Sequence, residues 1–471
     1  MRVLIFHGYL LSGTGSNVYN ARLAEALKRL GHEVHLFSQD RHPERQSFVG
    51  AVADWDGGEL QVSVLGASQS EDPALCTVYR PNLGGLLPVY VLDRYEGIEA
   101  KTFAQCTDAE LAVYIQANVE AVREVAELVR PDVALANHLV MGPVILARAL
   151  GGGTPYAVKV HGSALEYTVK PEPERFLGFA REGLAAAETV LVGSQHTAES
   201  LWEAIGDPAL QQRTRLGPPG VDVERFAPRE SRQAQVALRA LVERLRHSAP
   251  APVEEQPSAF TRDDRAAADA LERALGGEGE LVAFVGKLIA AKGVDLLLAA
   301  WPLVLCRRPR ARLVVIGFGS ERERYEAAAA QLGESVIFTG RLDHEELADV
   351  LPACEALVVP STFPEAFGMV AVEAAACGVL PISAGHSGLA EVSEVIAGEI
   401  PAQASEWLSF AVDDDAVRAI AERVVAWLEA DPALKRRTRA SLVSVARERW
   451  SWEGVARGVI AAALGEPVAG S

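Results

Sequence analysis

Val358-Val359-Pro360-Ser361-Thr362-Phe363-Pro364-Glu365-Ala366-Phe367-Gly368-Met369-Val370-Ala371-Val372-Glu373-Ala374-Ala375-Ala376-Cys377-Gly378 reads as three successive local signals. A β-branched apolar run ends at Pro360, a polar, proline-bearing loop follows, and strong helix formers take over near Phe367. A strand handing over to a helix through a short loop is the repeating unit of a parallel sheet. The helix start presents the N–H groups of Phe367, Gly368 and Met369 at the positive end of the helix dipole. That is an anion site, and Gly368 lets a phosphate approach the backbone closely. Glu365 stands in the loop beside it, and Glu373 projects from the second helical turn. Carboxylates repel phosphate, so this pair suits the hydroxyl donors of sugars flanking one. A helix-dipole role for Glu365 and a plain surface role for Glu373 are the alternatives. Against the second stand the apolar neighbours Val370, Val372 and Ala374–Ala376.

The same strand-to-helix unit recurs in both directions along the chain. Toward the N-terminus, Phe284-Val285-Gly286-Lys287-Leu288-Ile289-Ala290-Ala291-Lys292-Gly293-Val294-Asp295 again ends a strand in glycine and enters a helix at Val294. Lys287 and Lys292 straddle that loop; two cations at one strand mouth suit a diphosphate, whereas either alone reads as a solvated lysine. Strand-like runs in this half are Leu281–Val285, Arg312–Ile316, Val336–Thr339, Ala356–Pro360 and Leu380–Ser383. In the other half they are Val3–Phe6, Val34–Ser38, Val133–Ala136, Tyr156–His161 and Thr189–Val192. Helical patterns such as Ala21–Leu30 and Ala109–Val129 separate them. Two doubly wound α/β domains are predicted, facing across a cleft that takes the ligand at the carboxyl ends of the strands. Leu216-Gly217-Pro218-Pro219-Gly220 suits the crossing between them. The stretch 229–279, with mixed charge and several prolines at its centre, reads as an insertion of two solvent-facing helices. Arg449–Leu464 reads as one amphipathic terminal helix.

Composition narrows the class. Over 471 residues, 49% are hydrophobic and 23% charged, ordinary for a soluble globular chain. A net charge of −18 argues against nucleic acid as a partner, since that binding neutralises phosphates with Lys and Arg. The five cysteines are scattered without CxxC spacing, which fits a reducing compartment and no structural zinc. Met1–Gly8 is too short for the apolar core of a signal peptide, and no apolar run reaches the ~18 residues of a membrane span. The expectation is a cytoplasmic protein without a transmembrane segment.

Taken together, Gly286–Asp295, Gly317-Phe318-Gly319, Phe338-Thr339-Gly340-Arg341-Leu342 and the E-x7-E pair Glu365 and Glu373 resemble the retaining nucleotide-sugar glycosyltransferases of family 4, which have the GT-B fold. Ala21–Val34 is similar to that family's first helix and second strand, and Pro219-Gly220-Val221-Asp222 with Phe226 to its crossing. The resemblance implies that Lys287 and Lys292 hold the donor diphosphate and that Glu373 binds the ribose hydroxyls. It implies Glu365 at the transferred sugar, the Leu342 backbone at the base, and His161 over the sugar. Lysine stands at position 287 where the family often has arginine, which keeps the charge and loses the bidentate fork. Gly15 matches the second glycine of the family's N-terminal pair, with Thr14 in place of the first.

The resulting expectation is a metal-independent, retaining hexosyltransferase without a cofactor, using a nucleotide-sugar donor, UDP first, and a small-molecule or glycan acceptor. Residues 1–216 form the acceptor-side domain, with a helix from about 446 to 471 crossing back to it, and residues 217–445 bind the donor. Helix N-terminal amides and the two lysines provide the positive charge that a divalent ion supplies elsewhere. Catalytic candidates are His161, Lys287, Lys292 and Glu365; donor-binding candidates are Gly15, Gly286, Leu342, Phe367, Gly368, Met369 and Glu373. Acceptor candidates are Asn137 and His138 at a strand end and Arg94 in the irregular segment from Tyr79. Asp413–Asp415 reads as a helix cap rather than a metal cluster, and His386-Ser387-Gly388 as a loop near the nucleotide. A nucleotide-sugar epimerase or other GT-B enzyme, and a sugar-nucleotide binding module without catalysis, are the competing readings. An NAD-dependent oxidoreductase is disfavoured by the broken glycine pattern at Gly13–Val18.

Overall fold

Leu281–Val285 is the first strand of its sheet in chain order, yet it lies in the middle of that sheet, between Arg312–Ile316 and Ala356–Val359. The computed structural model describes residues 1–13, 15–65, 76–90, 99–248 and 262–467. These divide into two units, Met1–Gly220 with Trp452–Ser471, and Val221–Ser451.

In the second unit six strands pair in the order Val336–Gly340, Arg312–Ile316, Leu281–Val285, Ala356–Val359, Leu380–Ala384 and Ser409–Phe410. Every pairing is parallel. Val282, Ala283, Leu313, Val315, Leu357 and Val358 are fully buried, as continuous apolar strands must be when helices cover both faces.

The first unit has a nine-stranded sheet, in the order Thr214–Leu216, Thr189–Val192, Tyr156–Val160, Val133–Asn137, Arg2–Phe6, Glu33–Phe37, Cys76–Arg80, Ala51–Asp56 and Glu59–Val64. Its only antiparallel pair among the described residues is the edge hairpin Ala51–Asp56 with Glu59–Val64. Both sheets are doubly wound, as the strand–helix alternation predicts.

Three local readings are corrected. The helices Ser231–His247 and Asp264–Gly276 are not solvent-facing appendages. Leu238, Leu241, Val242 and Leu245 of the first, and Ala267, Ala268, Leu271 and Ala274 of the second, join the core of the second unit. Their apolar stripe has helical spacing, and the arginines and glutamates of the outer face disguise it. The segment from Tyr79 is not irregular throughout: Cys76–Arg80 is an inner strand, and Leu86–Val89 pairs with Glu99–Thr102 in a small parallel sheet. Arg449–Leu464 is not one helix. Pro432–Trp450 ends at Ser451, whose extended backbone (φ −67°, ψ 145°) separates it from Trp452–Ala463.

The units divide at Gly220/Val221 and Ser451/Trp452, a few residues beyond the boundaries read from sequence. Trp452 is buried in the first unit, and a Cβ on Gly220 would come within 2.7 Å of its ring. Among the described residues no helix is long and apolar enough to cross a membrane.

Candidate active site

Chain order reverses in the second unit's sheet between Leu281–Val285 and Ala356–Val359, which makes the carboxyl ends of these two strands a topological switch point. Both diagnostic windows emerge there. The Thr362 N–H donates to the Ala291 carbonyl at 3.0 Å, tying the two loops together. Gly293 closes the first loop at φ +65°, and a Cβ would lie 1.9 Å from the Pro360 carbonyl oxygen. Only glycine meets both demands.

Lys292 donates from Nζ to Glu365 Oε1, so two side chains the sequence assigns to one ligand already touch. Ser361 Oγ donates to the same oxygen at 2.7 Å, and the Glu365 N–H donates to Ser387 Oγ at 2.9 Å. Glu365 is therefore held at both its backbone and its carboxylate. Lys287 lies exposed in the loop that begins at Gly286. The helix starts at Met369, slightly later than the sequence suggests, because Gly368 takes φ +110° as its cap. A Cβ there would meet the Leu389 side chain at 2.5 Å, which adds to the preference for glycine set by the positive φ. Phe367 is buried with its ring edge-on to Trp450.

Glu373 is 3% exposed. Its Oε1 accepts from His344 Nε2 at 2.6 Å, and the imidazole is tilted over Phe226 at 5.1 Å. His344 opens the helix His344–Val350, directly after the Leu342-Asp343 turn; the Leu342 side chain is buried. Glu373 is thus no surface acid, in keeping with its apolar neighbours.

Among the described residues no group of three or more His, Cys, Asp and Glu side chains is arranged to hold a metal ion. In the Asp413–Asp415 run, Asp413 Oδ1 accepts the Asp415 N–H at 3.0 Å and Asp415 pairs with Arg418, while no side-chain cap forms at Asp415 itself.

The first unit has its own switch point, between Arg2–Phe6 and Val133–Asn137. Imidazoles gather at it. His161 Nε2 donates to Asn137 Oδ1 at 2.8 Å, a tautomer assigned from its partner, and Asn137 Nδ2 reaches the Phe6 carbonyl at 3.4 Å. His138, at φ +67° and 1% exposed, lies with its ring 4.9 Å from His161 and 4.3 Å from Tyr90. Neither of its ring nitrogens has a hydrogen-bond partner among the described residues. His7 Nδ1 accepts from Asn20 Nδ2 at 3.0 Å, and its Nε2 faces Asn17 Oδ1 and the Leu10 carbonyl. Burial holds all three imidazoles neutral: it lowers His7 to about 4 and carries His138 and His161 well below the usual range. Beside them Lys159 donates to the Gly217 carbonyl at 2.5 Å, and burial lowers its ammonium to about 7.

Of the acceptor candidates, Asn137 and His138 face the interior of the unit, and Asn137 serves His161. Arg94 and Thr14 lie outside the described residues. Gly15 is the first residue of the helix Gly15–Arg29, with open space where a Cβ would stand. A cavity of about 350 Å³ lined by Gln39, Asp40, Trp55, Arg80, Asn82 and Leu86 opens at the carboxyl edge of this sheet. Sequence reasoning missed His7, Lys159, Ser361 and His344. His7 alone carried a signal, standing with Gly8 directly after the first strand.

Two family descriptions match the chain: "Glycosyl transferase 4-like domain" over residues 14–213 and "Glycosyl transferases group 1" over residues 270–444. A D-inositol 3-phosphate glycosyltransferase of Segniliparus rotundus is 34% identical over 43% of this chain and 43% of its own length. One of the same description from Corynebacterium jeikeium is 27% identical over 86% of this chain and 84% of its own. The chain spans about half the length of the first relatives it matches. Among solved structures, sucrose-phosphate synthase from Thermosynechococcus elongatus superimposes with a TM-score of 0.61 at 21% identity, covering 97% of this chain and 96% of that one. Anabaena HepE, in complex with UDP and glucose, gives 0.60 at 16% identity over 98% of both chains. These likenesses establish the architecture of two doubly wound domains.

Proposed function

We infer that this chain, which belongs to the family 4 nucleotide-sugar glycosyltransferases of GT-B fold, moves a sugar from a nucleoside diphosphate to an acceptor hydroxyl with retention of configuration. The observation that carries the reading is the convergence, at one switch point, of Lys292, Glu365, the start of the helix Met369–Ala376 and the buried Glu373. A diphosphate suits the amides and lysines; a ribose suits Glu373; the transferred sugar suits Glu365. In the proposed step the acceptor oxygen bonds to the anomeric carbon on the face from which the diphosphate leaves. The bond to the phosphate oxygen breaks, and that oxygen takes the acceptor's proton. Lys287 and Lys292 neutralise charge as it grows on the leaving group, and a metal ion is not required.

UDP is the first nucleotide to try. Because a Corynebacterium glutamicum relative, 28% identical, is named for GDP-mannose and others for D-inositol 3-phosphate, both compounds belong in the test. The cavity at Trp55 and Arg80 offers an aromatic face and planar polar groups of the kind that hold sugars and polyols. Incubation with UDP-glucose or GDP-mannose and a panel of acceptors, inositol 3-phosphate among them, should release nucleoside diphosphate only when an acceptor is present. The rate should survive excess chelator, and the product should keep the donor's anomeric configuration by NMR. Acceptor-independent epimerisation of the donor would support the competing enzyme reading, and tight binding without turnover the binding module. Activity lost to chelator and restored by magnesium would reject the metal-free step.

A further inference from the structure

We propose that His344 is the positioning residue for ribose recognition, fixing the Glu373 carboxylate so that one oxygen is committed to the protein and the other to the nucleotide. The proposal rests on the reading of Glu373 as the ribose ligand. Glu373 sits in the helix Met369–Ala376, whose other members are Met, Val and Ala, and it is 3% exposed. Among the described residues the sole hydrogen bond to its carboxylate comes from His344 Nε2, at 2.6 Å to Oε1. An ionised carboxylate has about four acceptor positions, so Oε2 keeps its capacity for hydroxyl donors. A buried glutamate with free torsions has several rotamers, and fixing one in advance removes an ordering cost from binding.

His344 is itself well held. It is the first residue of its helix, whose start is closed by a capping box: Asp343 N–H donates to Glu346 Oε2 at 2.7 Å. Arg262 bridges the Asp343 and Glu346 carboxylates, at 2.8 Å to each. Phe226, fully buried, supports the imidazole from one side. The imidazole is carried on a fixed helix start and packed against Phe226, which suits a group whose task is orientation. Glu373 lies on the second turn of the helix Met369–Ala376, but Lys292 pairs with Glu365 and not with these residues, so the effect should be confined to the sugar of the nucleotide.

That confinement gives the test. UDP, GDP and ADP are titrated by calorimetry, and the one held most tightly is compared with its 2′-deoxy form on the parent, His344→Ala, His344→Gln, Glu373→Gln and the double variant His344→Ala/Glu373→Gln. The parent should prefer the ribonucleotide. His344→Ala should weaken the ribonucleotide about tenfold and the deoxy form less than twofold. His344→Gln, which keeps a donor to the carboxylate, should retain most of the preference. In the Glu373→Gln background His344→Ala should have no further effect, as expected of two residues acting as one unit. Equal loss of both nucleotides in His344→Ala, a His344→Gln no better than alanine, or independent effects in the double variant would overturn the positioning role. If Glu373→Gln leaves the ribose preference intact, the assignment of Glu373 fails and this proposal with it. Collapse of the preference in Glu373→Gln but not in His344→Ala would overturn the positioning role alone.

Discussion

Lys292 and Glu365 form an ion pair across the two loops of one switch point, each side chain about a quarter to a third exposed (30% and 23%). A cation proposed for a phosphate is therefore already neutralised in the ligand-free chain. On the function proposed above, a diphosphate entering the site would compete with Glu365 for Lys292 and release Glu365 toward the sugar.

Removing the competitor should expose this exchange. Glu365→Gln should leave free nucleoside diphosphate affinity equal to the parent's or up to about fivefold tighter, ~1 kcal/mol being the usual worth of a partly exposed pair. Sugar transfer should fall by at least tenfold. Calorimetry with the free diphosphate, alongside a turnover assay, checks both halves; a variant with tenfold weaker nucleotide binding would remove the competition.

Two glycines should separate folding from ligand access. Gly293→Ala puts a methyl 1.9 Å from the Pro360 oxygen at a positive φ, so the loops must part, and thermal unfolding should shift down by several degrees. Gly15→Ala meets nothing within 4 Å and should unfold like the parent. If ligand approaches the Gly15 amide, the Gly15 substitution should still lower transfer. Unfolding curves and turnover measured on both variants distinguish the two demands.

Buried Lys159 makes stability depend on pH in a defined sense. Its ammonium is lowered to about 7 in the folded chain from 10.5, so the unfolded chain binds the extra proton between those values. Stability should rise with pH through that window on this account and be lowest, for this group, below pH 7. Lys159→Met should flatten the rise and stabilise the chain near neutrality by on the order of 1–4 kcal/mol. Denaturant midpoints between pH 6 and 9 would show it; an unchanged slope would place the charge of Lys159 elsewhere.

How much of this was legible in sequence differs by the kind of interaction. Leu281–Val285 and Ala356–Val359 could be read because buried parallel strands are apolar without interruption, and the loops after them because glycine and proline punctuate the chain locally. Glu373 was legible as an anomaly, an acid in an apolar helix. His344 was not, since it meets Glu373 through the packing of two helices and no local rule links the positions. The hydrogen bond between Asn137 and His161 is hidden for the same reason: each is legible only as a separate strand-end candidate, and the sheet register turns one toward the other. The helices Ser231–His247 and Asp264–Gly276 were misread because their charged outer faces outweighed a stripe of leucine and alanine. The edge hairpin Ala51–Val64 was overlooked because its outer strand is exposed and lacks an apolar run.

On the proposed function the second unit holds a nucleoside diphosphate at the mouths of Leu281–Val285 and Ala356–Val359, with Lys292 as its cation. Calorimetry of UDP, GDP, ADP and NAD on the parent and on Lys292→Ala tests it most directly. One of the three diphosphates should bind saturably and at least tenfold more tightly than NAD. That binding should weaken by ~2–4 kcal/mol in Lys292→Ala, the scale of losing one partner of a desolvated charge pair. A Lys292→Ala chain that binds the same diphosphate as tightly as the parent would contradict the account.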